Sequence, residues 1–143
     1  MPIEATWMVE KRVVYFHAYG QVTGADVAAV KELQLRNHDE GLAPVHTIVD
    51  VHSPSIKIPS IAQLRQFGYT SMHPNTGWML LLGSEKSVVT FGVSVIIQMV
   101  GSDHLKVVKS IPEIVEFLNH NDRTLHLTVD EVQDYIDSRK VAT

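Results

Sequence analysis

The chain has 143 residues, 45% of them hydrophobic, and a formal net charge of −4 from 12 Lys and Arg against 16 Asp and Glu. That length lets one domain bury a core without covalent staples, and the absence of cysteine excludes disulfides, thiolate catalysis and cysteine-ligated zinc. There is no basic cluster and no aromatic–basic stripe, so nucleic acid is not expected as a partner, because phosphate binding needs concentrated positive charge.

The first residues lack the apolar core of a signal peptide. The most apolar stretch, 88–100, is interrupted by Thr90, Gly92, Ser94 and Gln98 and is too short to span a bilayer. The expectation is a soluble, unexported, cytoplasmic protein with no transmembrane segment.

In chain order, residues 5–9 and 13–19 are rich in β-branched and aromatic side chains, and Glu10, Lys11 and Arg12 separate them at hairpin spacing. Thr23, with Asp26 three residues on, opens a helix whose stripe is Val27, Val30, Leu33 and Leu35 and which ends at Gly41. Residues 45–51 form a strand. Helical spacing returns at Ile58, Ile61, Leu64 and Phe67, with Pro59 suited to a first turn, and HPNTG at 73–77 makes a turn. Residues 78–82 are an unbroken apolar run between glycines, the pattern of a strand covered on both faces near the sheet centre.

Residues 87–100 favour strand by propensity. They exceed the usual strand of about 5–6 residues, and a parallel neighbour requires a crossover, so a helix is predicted there. A short strand follows at 105–108. Ser110 and Glu113 make a capping box for a helix with Ile114, Val115, Phe117 and Leu118 inward. Thr128 and Glu131 make another, leading into a stripe of Val129, Val132 and Ile136 with Tyr135 beside it.

These elements predict an α/β domain: a mixed five-stranded sheet in the order β-β-α-β-α-β-α-β-α over residues 1–123, with 124–143 as a C-terminal helical extension of the same domain. So short a helix must bury its stripe. With helices mostly on one side of the sheet, the other face can take it, either in the same chain or in a second copy. The second copy is favoured because symmetric dimers are the commonest small assembly, and a homodimer is the expectation.

The element order, with "GQVT" at 20–23, "IVDV" at 48–51, "GWMLLLG" at 77–83 and "SIPEIVEFL" at 110–118, resembles the SpoIIAA-like branch of the STAS domains, the sulfate-transporter and anti-sigma-factor-antagonist modules. The resemblance covers roughly residues 5–122 and rests on hydrophobic blocks rather than a signature. It implies a bacterial regulatory module that binds a protein partner without catalysis. In the anti-anti-sigma members the loop after the central strand carries Asp-Ser-Ser-Gly, with the second serine phosphorylated. Here the matching run is Asp50-Val51-His52-Ser53, so His52 stands at the phosphoacceptor position and the usual serine switch is not expected. Ser53 is the nearest substitute acceptor.

Parallel strands put their carboxyl ends on one edge, where open α/β folds usually place ligands. Asp50, His52, Ser53, Ser84 and Ser87 gather there by sequence and make a shallow polar site. The same residue types also end strands and cap helices.

A metal is not expected. His46, Asp50 and His52 share a strand face by parity, but His46 and His52 would stand roughly 20 Å apart, and two ligands are too few. No G-x-S-x-G elbow supports a hydrolase, and the GSEKS run at 83–87 lacks phosphate-loop spacing. No cofactor is expected. The other histidines, at 17, 38, 73, 104, 120 and 126, are expected mostly at the surface. The alternative function is a small carrier holding an apolar or lipid-like molecule between the sheet and its helices.

Overall fold

The computed structural model describes residues 3–51, 57, 74–83 and 104–140. Five strands, β1 (Ile3–Val9), β2 (Val13–Ala18), β3 (Val45–Asp50), β4 (Thr76–Leu82) and β5 (Leu105–Val108), form one sheet in sequential order. β1 pairs antiparallel with β2, and the other three pairings are parallel, so the α/β class and the mixed five-stranded sheet are as predicted. The middle strand is β3, with β4 beside it. The expected helices around 58–67 and 87–100 lie outside the described residues.

The hairpin turns at Glu10–Arg12, where Lys11 takes φ 62° and the Arg12 amide bonds to the Val9 carbonyl at 2.9 Å. α1 (Gly24–Glu40) begins at the predicted capping box, with Thr23 accepting from the Asp26 amide and Asp26 accepting in return. It lies on one face of the sheet, where Val30 and Leu33 meet Val14, Phe16, Val45 and Leu81. α2 (Ile111–Asn121) starts at Ser110, whose hydroxyl accepts from the Glu113 amide. Its Ile114, Val115 and Leu118 pack on the opposite face against Val13, Tyr15, Ile48 and Leu80. The helices therefore occupy both faces of the sheet, and the expected one-sided arrangement is corrected.

α3 (Val129–Lys140) completes that second layer. Val132 and Ile136 are buried in the same cluster as Tyr15 and Ile114, whereas Val129 is 39% exposed. The tail thus closes its own sheet, which overturns the preference for a second copy as its cover. Tyr135 fastens it further: its hydroxyl bonds to Thr6 Oγ1 and donates to the Trp7 carbonyl at 3.3 Å, and its ring stands edge-on to Tyr15. The neighbouring layer was within reach because α2 already covers this face, and the short turn between α2 and α3 returns the chain to it. Each large aliphatic side chain buried here contributes about 1.5–3 kcal/mol relative to exposure.

Candidate functional site

The carboxyl edge of the parallel strands is stitched across its loops. As the chain leaves β2, the Val22 amide donates to the Lys57 carbonyl and the Lys57 amide to the Gly20 carbonyl, both at 2.8 Å, making a parallel bridge between Gln21 and Lys57. Gly20 reaches this geometry at φ 64°, a backbone region that L side chains rarely adopt. The exits of β3, β4 and β5 are joined in the same way: the Val51 amide donates to the Leu82 carbonyl at 2.9 Å, and the Gly83 amide to the Val108 carbonyl at 3.3 Å. Most of the loops expected at this edge, 52–55 and 84–87, lie outside the described residues; the described exits bond in separate pairs, Gly20 and Val22 with Lys57, Val51 with Leu82, and Gly83 with Val108.

Asp50 ends β3 beneath this platform and is fully buried, not part of a shallow surface site. Its carboxylate accepts from the Tyr15 hydroxyl, and His17 Nδ1 lies 3.9 Å from the same oxygen. Register explains the meeting, because His17 pairs with Asp50 and Tyr15 with Ile48 on the adjacent parallel strands. Tyr15, His17 and Tyr19 share one face of the chain by alternation, and their rings stack in succession at 6.3 and 5.5 Å between centroids. Burial, with the Asp50 charge beside it, pushes the Tyr15 phenol far above its ordinary value, so it stays a hydrogen-bond donor.

His52, Ser53, Ser84 and Ser87 lie outside the described residues, as does the question of a phosphate on Ser53. Tyr15 and His17 were missed by sequence reasoning. A signal was present in "VVYFHAY", residues 13–19, where polar aromatic residues alternate with apolar ones in a strand buried on both faces. His17 and His38 are also buried, contrary to the expectation of surface histidines, whereas His104, His120 and His126 are exposed.

A second polar group occupies the opposite, amino-terminal edge. His46, on β3, is 1% exposed. Its Nδ1 accepts from the Trp78 amide at 2.9 Å, which places its proton on Nε2, and Nε2 donates to Asp122 Oδ2 at 2.8 Å. Arg12 Nη2 donates to the same oxygen at 2.6 Å, and Thr124 satisfies Oδ1 through its amide at 3.0 Å. The imidazole takes its place by interrupting the ladder: Val45 pairs with Thr76 but Thr47 with Met79, so β4 carries one extra residue opposite His46. Gly77 makes room, since a Cβ there would lie 2.6 Å from His46 Nδ1.

Burial lowers the His46 pKa, Arg12 adds to the effect, and Asp122 only partly offsets it. Burial alone would raise Asp122, but the bonds from Thr124 and His46 and the Arg12 charge outweigh it and hold the carboxyl at about 2. Both ring nitrogens of His46 are thus engaged within the protein, Nε2 by a carboxylate and Nδ1 by a backbone amide.

His38 makes the corresponding stitch on the other face. From the last turn of α1 it meets Thr47 Oγ1 at 3.2 Å and Thr76 Oγ1 at 2.9 Å, while Asn75 Nδ2 donates to its carbonyl. Among the described residues, no three His, Cys, Asp or Glu gather as a metal site, and no helix is long and apolar enough to cross a membrane. His46 and Asp50, which share a strand face, engage different partners at opposite ends of β3. No family model matches the chain, and neither curated proteins nor solved structures match it.

Proposed function

We propose that the chain is a non-enzymatic, STAS-like regulatory module that binds a protein partner through the carboxyl edge of its sheet, without the usual serine phosphoswitch. The observation that carries this reading is the Gln21–Lys57 bridge, which ties the exit of β2 to Lys57. Loops held on a rigid scaffold are where proteins concentrate recognition, and the exposed side chains of Gln21, Thr23 and Lys57 line this one. The element order and the Asp50-Val51-His52-Ser53 run support the family resemblance, and His52 at the acceptor position supports a constitutive rather than a phosphate-gated contact.

Affinity capture with Lys57→Glu and a control change on α3, Glu131→Lys, tests the reading. A specific protein retained by the native chain and the control but lost with Lys57→Glu is expected. Equal retention by all three chains counts against the edge.

The carrier reading has one observation in its favour. Tyr15, His17 and Asp50 place polar groups in the apolar layer between sheet and helices, where a ligand's polar end would lie. Native mass spectrometry of freshly purified protein decides it: a stoichiometric small molecule supports the carrier, and the bare chain mass supports the protein-binding module.

A further inference from the structure

Chemistry at His46 sets a condition on the fold. To accept from the Trp78 amide at 2.9 Å, Nδ1 must be unprotonated, and the ring that carries it is buried. Adding a proton there sets donor against donor, and Gly77 backs the ring so closely that a Cβ at 77 would lie 2.6 Å from Nδ1. The described charged groups that face it are Arg12, from the β1–β2 turn, and Asp122, from the end of α2. β4 presents only the Trp78 amide and Gly77, β2 presents Val13 as the paired residue, and His104 lies beyond the Trp78 ring. Asp122, the carboxylate that bonds it, is already shared with Arg12, which answers part of its charge.

We infer that His46 is a buried acid sensor, whose protonation breaks the bond to the Trp78 amide and loosens the α2–α3 connection from the sheet. Asp122 is the mechanical link. It caps α2 through its amide to the Leu118 carbonyl and fixes Thr124 with its carboxylate, so the turn that delivers α3 to the sheet hangs from the His46–Arg12 pair. Once the charged ring loses its bond to the Trp78 amide, that turn is held by Arg12, its own local bonds and the packing of Leu125 in the core.

The direction follows from linkage. A histidine held neutral by burial binds fewer protons in the closed state than in the open one, so the closed state is fully favoured above the ordinary histidine value of about 6.5 and loses ground as pH falls below it. The test is amide hydrogen exchange of the full chain at pH 7.5 and pH 5, corrected for intrinsic rates, together with the nitrogen shifts of the His46 ring. The expected result is a proton on Nε2 at pH 7.5 and a fall in Trp78 protection at pH 5, with a ceiling of about 30-fold set by the ordinary histidine value, beyond any fall at Leu80 two residues along β4. Constant Trp78 protection, or a fall in step with Leu80, overturns the proposal. His46→Gln gives the second readout: it should abolish the extra fall at Trp78, and an extra fall that persists with glutamine at 46 also overturns it.

Discussion

The hydrogen bond between Tyr15 and Asp50 joins β2 to β3 in a buried layer, and its removal takes one donor from a buried carboxylate. Tyr15→Phe should therefore cost about 1.5–3 kcal/mol at pH 7, the range for hydrogen bonds to charged groups, measured by urea unfolding. The same bond predicts an alkaline limit. Because the phenol is raised in the folded state, its contribution is complete below the ordinary tyrosine value of about 10 and is lost as pH rises past it. Tyr15→Phe should flatten that part of the pH profile, and an unchanged slope would show that other groups set it. At the other edge, Gly77→Ala drives a methyl into an imidazole pinned at both nitrogens, and a loss of about 1–3 kcal/mol is expected. Asp122, held at about 2, adds stability above the ordinary carboxylate range that is lost as pH falls from about 4 towards 2. None of these partnerships was legible in the sequence. His46 and Asp122 are 76 residues apart, and a single sequence carries no mark that distinguishes a buried histidine from a surface one. The alternation of residues 13–19 was the one available hint, because it places Tyr15, His17 and Tyr19 on a common face.

Helices and strands were legible where the signal is local. The hairpin turn, the Thr23–Asp26 box and the Ser110 cap depend on residues within three or four positions of each other, and all of them form. What the helices cover depends on the path of the whole chain, and there the expectation failed for α3. The stripe drawn through Val129, Val132 and Ile136 included a residue exposed in the first turn, and only the last two reach the core. The two ends of the stripe should respond differently. Ile136→Ala is expected to cost about 2–5 kcal/mol as a core truncation, whereas Val129→Ala should stay within about 0.5 kcal/mol. Denaturant midpoints compare them directly, and equal losses would place Val129 inside the layer. Removing residues 124–143 should expose the α2 face of the sheet and abolish cooperative unfolding. A folded monomer after truncation would show that the tail is dispensable for closure.

Taken as a whole, the molecule has two polar ends and a packed middle. The amino-terminal end is built for closure: His38 ties α1 to β3 and β4, and His46 ties β3 to the α2–α3 turn, each with its ring nitrogens engaged. The carboxyl end instead gathers loops. There Gly20 bonds to Lys57, Val51 to Leu82 and Gly83 to Val108, and the side chains of Gln21 and Lys57 are exposed. That asymmetry supports the proposal that the carboxyl edge, rather than the whole surface, serves recognition. The most direct measurement is hydrogen–deuterium exchange of the chain alone and in complex with the partner captured through it. Protection centred on 20–23 and Lys57, with the α3 surface unchanged, is the predicted footprint. Protection confined to α3 or to the amino-terminal edge, or the lack of any complex that survives dilution, would contradict it.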